Sequence, residues 1–192
     1  MKLAGRVITT LALAIHVYGQ ACGQTPEMQV ISDAAAALGG RSRIEAVRSL
    51  AMEGHGRYPN IGQNLTPDAP LPDWDVPEFK RTIDLANGRM RLEQHRVALF
   101  PFSMVNDARQ NLVLDGGIAY NVDPASGKAT RASESTALDR RIEMLANPVT
   151  IIRAALDPRT KLSNLRQQGK KQLVDITTAQ SGKLTLAVDT AT

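Results

Sequence analysis

The chain has 192 residues, of which 43% are hydrophobic and 22% are charged, and this composition excludes both a disordered protein and a bundle of membrane spans. Its length predicts a single domain. Aromatic residues make up only 4% of the chain, which argues against binding of nucleic acid by base stacking. The formal net charge of +4 becomes +2 without Lys2 and Arg6, which lie in a predicted signal peptide, and so small an excess indicates no polyanionic partner.

Residues 1–21 have the layout of a secretory signal peptide. Lys2 and Arg6 precede an apolar run from Val7 to Val17, and the small residue Ala21 closes the segment. The run is shorter than the roughly 20 apolar residues that a transmembrane helix needs. The segment therefore predicts an exported protein, periplasmic, associated with the outer membrane, or secreted.

The only cysteine, Cys22, directly follows this segment and has no second cysteine with which to form an internal disulfide. Gly19-Gln20-Ala21-Cys22 partly matches a bacterial lipobox, whose cysteine becomes lipid-modified. One interpretation makes Cys22 a lipid attachment site in residues 22–26, through which the mature protein is tethered to a membrane surface. The alternative is ordinary cleavage after Ala21 or Gly23, which leaves a short linker.

Two amphipathic helices are predicted next. Thr25 is an N-cap, Pro26 suits the first helical position, and Gly39-Gly40 ends the helix. Ser42 and Glu45 have the spacing of a capping box, which predicts a second, shorter helix.

Beyond these helices the apolar residues alternate, which predicts strands. A first strand is expected from Ser49 to about Gly56. Asn87-Gly88 predicts a tight hairpin turn in which both residues take positive φ, and Asp115-Gly116-Gly117 predicts a second hairpin. These strands are expected to form one antiparallel sheet.

Helical spacing then predicts two more helices that meet at Asn147-Pro148, and strand patterns resume at Leu173–Thr177 and Leu184–Val188. Between the second of these helices and the first of these strands, the segment Arg159–Lys171 is basic and contains no acid. It is interpreted as a solvated surface, with contact to anionic lipid or an acidic partner as the alternative. The order of elements predicts an α+β fold over residues 27–192: a curved antiparallel half-barrel with helices on its concave side.

The segment Tyr58–Pro77 is predicted to be a long irregular loop, because it holds half of the ten prolines and the only tryptophan, Trp74. A loop of this length is usually functional or mobile. Its aspartates are interpreted as turn residues, with calcium binding as the alternative. These are Asp68, Asp73 and Asp75.

Catalytic motifs are missing from the sequence. His55 and His95 lie on separate predicted strands, without a second histidine or cysteine at ligand spacing. The sequence therefore predicts no catalytic residue, metal or cofactor for this chain. Strand parity instead predicts that apolar side chains line a ligand cavity, unless they simply fill the core. They are Met52, Trp74, Phe79, Ile83, Met90, Leu92 and Leu114.

Several short motifs resemble the periplasmic lipoprotein-carrier superfamily: Ala37–Gly40, Glu53-Gly54, Asn87-Gly88-Arg89 and Leu114-Asp115-Gly116. This resemblance implies a half-barrel that is closed by helices and binds acyl chains or other hydrophobic ligands in its concavity.

Longer segments resemble the N-terminal region of secreted bacterial metallo-hydrolases of the β-lactamase fold. They are Asn60–Asn64, Thr66-Pro67, Phe79–Asp84, Asp139–Arg141 and Ile151–Asp157. In those hydrolases a zinc-binding catalytic domain with a His-x-His-x-Asp-His motif follows this region. The motif is missing from the present sequence, so the resemblance assigns it no catalytic residue, and zinc would belong to a downstream domain.

The C-terminal residues Val188–Thr192 have turn chemistry like that of Val122–Ser126, so the last predicted strand is expected to have an unpaired edge. A truncated gene, a fragment, or a sheet completed by something else would each explain this.

Two main hypotheses for the function follow from the sequence. The first is an exported, non-catalytic module that binds a lipid, a lipoprotein or another hydrophobic molecule, or packs against a hydrolase domain. The second is the N-terminal fragment of a metallo-hydrolase. A structural envelope protein is a third possibility.

Overall fold

The computed structural model describes residues 24–61, 64, 66–101, 106–179 and 182–189. The predicted signal peptide, Cys22 and residues 190–192 lie outside the described residues. Within them the chain forms four helices, which are α1 (Pro26–Ala37), α2 (Arg41–Ala46), α3 (Glu134–Met144) and α4 (Pro148–Ala155). It also forms nine strands, which are β1 (Ser49–Pro59), β2 (Asp73–Asp84), β3 (Arg89–Ala98), β4 (Asp107–Asp115), β5 (Ile118–Val122), β6 (Ala129–Arg131), β7 (Lys161–Gln168), β8 (Lys171–Thr177) and β9 (Lys183–Asp189).

The strands form open antiparallel sheets, and the α+β class predicted from the order of elements is confirmed. Strands β1 to β6 pair in chain order as a six-stranded meander, and β7, β8 and β9 form a second sheet of three strands. The strands up to Val122 thus share one sheet, as expected. We call the meander face on which α3 packs the inner face, and the opposite face the outer face.

The first helix begins and ends as its sequence predicts. The Thr25 hydroxyl accepts a hydrogen bond from the Met28 amide at 3.3 Å, and Gly39 and Gly40 both have a φ of 98°, which favours glycine. The predicted capping box of α2 is wrong. Its N-cap is Gly40 without a side-chain hydrogen bond, and Glu45 instead accepts from Arg41 Nε at 2.8 Å.

The two predicted hairpins have different outcomes. The Gly116-Gly117 turn between β4 and β5 is confirmed, with Gly116 at a φ of 57°. The turn between β2 and β3 is longer than predicted: residues 85–88 form it, and Asn87 does not take a positive φ. Asp84 Oδ1 accepts from the Asn87 amide at 3.1 Å, so the aspartate orders the turn in place of a tight Asn-Gly pair.

The segment predicted as a long proline-rich loop is strand at both of its ends, and residues 60–72 connect the two strands. Strand β1 continues past Gly56 to Pro59, and β2 begins at Asp73, so Trp74 and Pro77 lie in the sheet. Pro77 is tolerated there because the register shifts between Asp75 and Glu78, and a bulge needs no N–H at that position.

Strand β7 occupies most of the basic segment Arg159–Lys171, for which the sequence predicted a solvated surface or, as the alternative, contact with anionic lipid or an acidic partner, but no strand. Its alternation is interrupted at Asn164, which has a φ of 57°, and the pairing with β8 shifts between Ser163 and Arg166. The interruption places Leu162 and Leu165 three residues apart, so the period of two that identifies a strand is lost.

Two hydrophobic cores hold the layers together. The first joins α1, α2 and α4 to the second sheet, through residues such as Ile31, Ile152 and Val174. The second joins α3 to the inner face of the meander, where Ala137 and Met144 pack against Ile83, Met90, Leu114 and Ala119. In the described part of the chain, no helix is both long and apolar enough to span a membrane.

Arg140 connects α3 to the meander by hydrogen bonds. It is only 5% exposed, and its Nη1 donates to the carbonyl oxygens of Val113 at 2.8 Å and Tyr120 at 2.9 Å. Its Nη2 donates to Asn121 Oδ1 at 2.5 Å. Burial lowers the pKa of the guanidinium, and the three acceptors compensate for the water it has lost.

Candidate functional site

The two faces of the meander differ in charge. On the outer face, acids and bases of neighbouring strands are paired: Lys80 Nζ lies 2.9 Å from Glu53, Arg109 lies 2.9 Å from Glu78, and Arg89 lies 2.7 Å from Asp115. On the inner face, the positions that the register assigns in the described strands β1 to β5 carry no aspartate or glutamate. They carry two arginines, Arg81 and Arg96.

Helix α3 covers only one end of the inner face. There Ile83 and Leu114 are fully buried, and Met90, which pairs with both, is nearly so. The other three helices pack mainly on the second sheet. The inner face continues beyond α3, and we call that part the open half, defined by Tyr58, Trp74, Phe79, Gln94, Arg96 and Gln110.

An arginine between aromatic rings is the centre of the open half. The Arg96 guanidinium carbon lies 4.5 Å from the ring centroid of Trp74 and 4.9 Å from that of Tyr58, within cation–π distance. Trp74 also contacts buried Phe100 edge to face, with centroids 5.3 Å apart. These contacts position the guanidinium against the Trp74 and Tyr58 rings.

Arg96 has unused hydrogen-bonding capacity. Its Nε is buried and has no hydrogen-bond partner among the described residues. None of the ion pairs within the described ranges includes Arg96. Burial lowers its pKa, and the Tyr58 hydroxyl has a smaller opposing effect.

Arg81 differs because a helix supplies a partner for its Nη atoms, although its Nε, like that of Arg96, is buried without a hydrogen-bond partner among the described residues. Its Nη2 lies 3.6 Å from Glu143 Oε2, and its Nη1 is 3.5 Å from the Glu143 carbonyl oxygen. Its guanidinium carbon also lies 5.3 Å from the Phe79 ring centroid. Arg81 therefore marks the boundary between the covered end and the open half.

Two glycines leave space on β1 next to these side chains. Gly54 and Gly56 alternate with outward-facing residues between Met52 and Tyr58. A β-carbon placed on either glycine would have no atom within 4 Å, and neither glycine has a positive φ. The backbone conformation does not require glycine at either position. Because the two glycines have no side chains, they leave an uncovered strip of β1 beside Phe79.

Exposed apolar side chains surround the same end of the sheet. Tyr58 is 56% exposed, Ile61 80% and Leu99 51%. The strand register brings them to one end, because Tyr58 pairs with Trp74, and the Leu99 amide donates to the Asp73 carbonyl oxygen at 3.0 Å. Clustered exposed apolar residues are typical of binding surfaces.

The register places all seven predicted ligand-binding residues on the inner face. Four of them are buried and two of the others, Trp74 and Phe79, are half-buried in the open half, with Met52 half-buried at its margin. The buried four are Ile83, Met90, Leu92 and Leu114. Sequence reasoning missed Arg96 because it considered only apolar side chains, although the alternation from Leu92 would have placed Arg96 on the same face.

A second concave surface lies on the other core. It is an apolar groove of about 760 Å³ between α1, α4 and β9. Leu38, Ile151, Leu184 and Leu186 are among its lining residues, and Leu38 is 41% exposed. Strand β9 pairs with β8 on one side and has no partner strand on the other among the described residues.

Metal ligands are not grouped within the described ranges, where no cluster of three histidine, cysteine or acidic side chains occurs. His95 Nε2 lies 2.7 Å from Asp107 on the outer face, and His55 is exposed on β1.

Comparisons with protein-family models, curated proteins and solved structures find no match for this chain. The two family resemblances therefore stay predictions.

Proposed function

We propose that this chain is an exported, non-catalytic module that binds a hydrophobic ligand in the open half of the inner face. The observation that carries the proposal is the uncovered strip beside Gly54 and Gly56, next to the aromatic side chains of Tyr58, Trp74 and Phe79. A ligand lying there would remove exposed apolar surface from water, and complete burial of one such side chain contributes about 1.5–3 kcal/mol.

The buried end of the inner face has a supporting role in this proposal. Ile83, Met90 and Leu114 are already packed under α3, so a ligand would contact them only if the helix moved. Met52, Trp74 and Phe79 are accessible without such a movement, because they are half-buried beyond the helix.

Filling the uncovered strip tests the proposal. The neutral fluorescent probe N-phenyl-1-naphthylamine is titrated into the purified protein and into the Gly54→Val and Ala51→Val variants. Ala51 lies on the same strand with its side chain on the outer face, so it is a matched control. We expect Gly54→Val to weaken probe binding about tenfold, equivalent to about 1.4 kcal/mol, and Ala51→Val to leave it unchanged.

Circular dichroism checks that both variants keep the fold, which we expect because a β-carbon at Gly54 meets open space. Absence of probe binding to the unmodified protein would refute the proposal. Equal binding by the two variants would also refute this location for the site.

A second candidate function is packing against a hydrolase domain, on a separate chain or in a longer metallo-hydrolase. The groove beside β9, and the edge of β9 that pairs with no strand among the described residues, favour it, because an edge strand and an apolar groove together accept a further strand or domain. Any zinc would be held by that domain. The DNA after codon 192 tests this candidate: an in-frame or frameshifted His-x-His-x-Asp-His stretch supports it, and an unrelated gene contradicts it.

Export and lipid attachment are proposed on the signal layout and on the position of Cys22. Fractionation and intact-mass measurement of protein made in a bacterial host test both. A membrane-bound product with added acyl mass at Cys22 supports lipidation. A soluble periplasmic product that begins after Ala21 or Gly23 contradicts lipidation but supports export, and an uncleaved cytoplasmic product contradicts both.

A further inference from the structure

We propose that the ligand of the open half is an amphiphile with an oxyanion head group, a carboxylate or a phosphate, and that Arg96 binds this group. The inference rests on the proposed function and specifies the chemical class of the ligand. Its apolar chain would lie along β3 and beside Phe79, toward the end that α3 covers.

The first step of the argument is the distribution of charge on the meander. Its acids lie on the outer face, where most are paired with bases of neighbouring strands. The inner face of the described strands has no acid of its own to neutralise Arg96. The buried guanidinium of Arg140 has carbonyl oxygens as acceptors under α3, whereas the half-buried Arg96 has no such acceptor for its buried Nε among the described residues.

The second step is the comparison between the two inner-face arginines. Arg81 has the Glu143 carboxylate and carbonyl within reach. Arg96 lies four residues beyond Leu92, the residue that pairs with Arg81, which is about 13 Å along the strand. No carboxylate in the described part of the chain reaches Arg96 at ion-pair distance, so an anionic group from a ligand would supply the missing acceptor.

The third step is the preorganisation of the guanidinium. Trp74 and Tyr58 hold it at 4.5 Å and 4.9 Å from their rings, so binding would cost it little side-chain entropy. Its buried Nε lacks a partner among the described residues, but so does the Nε of Arg81, so this atom does not distinguish the two arginines. An oxyanion accepts two parallel N–H bonds from an arginine fork, and such charge-assisted bonds are stronger than neutral ones.

The apolar surroundings distinguish an amphiphile from a free anion. Phe79 and the bare strip at Gly54 lie between Arg96 and the covered end of the inner face. The distance of about 13 Å from Arg96 to Leu92 allows an alkyl chain to extend along the strand. Gln94 and Gln110 lie on this path, and Gln94 Nε2 donates to Gln110 Oε1 at 2.6 Å, which satisfies part of the hydrogen-bonding capacity of the two amides.

The experiment uses Trp74, the only tryptophan of the chain, as an intrinsic fluorescence reporter. Decanoate, decyl phosphate, decanol and acetate are titrated separately into the full-length protein and into Arg96→Met, Arg96→Lys and Arg109→Met. Methionine keeps an unbranched apolar side chain against the rings but removes the donors. Arg109 is the matched control, because it is an arginine on the neighbouring strand whose side chain lies on the outer face.

We expect Arg96→Met to weaken decanoate or decyl phosphate binding tenfold or more, since hydrogen bonds to charged groups contribute about 1.5–3 kcal/mol. Decanol binding should stay within about twofold, a difference of less than 0.5 kcal/mol. Arg96→Lys should lose less affinity than Arg96→Met, and Arg109→Met should resemble the unmodified protein. Comparison of decanoate with decyl phosphate identifies the preferred head group.

Three results would overturn the inference. Equal affinity of the unmodified protein for decanol and for both anionic amphiphiles would exclude head-group recognition, and this comparison needs no variant to fold. Acetate binding as tight as that of decanoate would indicate a simple anion site. Parallel losses for decanol and decanoate in a folded Arg96→Met variant would show a purely structural arginine. Failure of every amphiphile and of the neutral naphthylamine probe would refute the proposed function itself.

Discussion

Replacement of Arg140 by methionine tests whether this arginine attaches α3 to the meander. The guanidinium donates to two main-chain carbonyl oxygens, at 2.8 Å and 2.9 Å, and to the amide oxygen of Asn121. Methionine fills a similar volume but donates no hydrogen bond. The variant therefore leaves the Val113 and Tyr120 carbonyls without this donor while the apolar contacts of α3 persist.

The expected cost is about 3 kcal/mol, because each hydrogen bond from a charged donor to a carbonyl contributes about 1.5 kcal/mol or more. Asn121 is exposed, so water replaces its lost hydrogen bond, and the loss of this bond contributes little to the expected destabilisation. For a domain of this size the midpoint temperature should fall by roughly 6–12 °C. Burial of the guanidinium is itself unfavourable, as the lowered pKa of Arg140 indicates. Methionine removes this desolvation cost, so we use the lower end of the range for each hydrogen bond.

Urea unfolding followed by circular dichroism measures this cost. Arg41→Met is the matched control, because Arg41 forms an exposed pair with Glu45 on α2, and such pairs contribute about 0.3–0.5 kcal/mol. A loss below about 1 kcal/mol in Arg140→Met, or equal losses in the two variants, would refute the role of Arg140 in holding α3.

Two further predictions concern the core and the pH dependence of stability. Ile83→Ala should lower the free energy of unfolding in urea by about 2–5 kcal/mol, because Ile83 is fully buried. Phe79→Ala should lower it less but should weaken naphthylamine binding. A larger loss of stability in Phe79→Ala than in Ile83→Ala would contradict our assignment of core and site. Hydrogen bonds from Asn164, Thr185 and Arg166 lower the pKa of Asp175 from 3.8 to about 2. Because the folded pKa is the lower one, the stabilisation is complete above the unfolded value and is lost as pH falls toward 2. Thermal melts of Asp175→Ala should therefore depend less on pH in this range than those of the unmodified protein, and parallel curves would contradict the prediction.

The meander illustrates how far local pattern determines a fold. Alternation of apolar residues placed Met90, Leu92 and Leu114 on one face, and the structure has them there. Thr25 and Gly39-Gly40 likewise defined α1 correctly, because a cap depends on a few adjacent residues. These features need only the geometry of a few neighbouring residues, which the sequence contains in full.

The errors arose where contacts distant in sequence decide the outcome. Trp74 and Pro77 look like loop residues, yet pairing with β1 and β3 keeps them in a strand, and a bulge accommodates the proline. Strand β7 was missed because the left-handed residue Asn164 interrupts its alternation. Pairing with β8 supplies the hydrogen bonds that identify it as a strand.

By itself the sequence determined the α+β class and the face on which residues such as Met90, Leu92 and Leu114 lie, because these follow from local spacing and chemistry. Only the tertiary structure decided that α3 covers one end of the inner face and leaves the other open. It also decided that Arg96 lies between Trp74 and Tyr58 without an acidic partner in the described part of the chain. Strand pairing brings these residues together across β1, β2 and β3, with a bulge in β2, and no spacing along the chain contains that information.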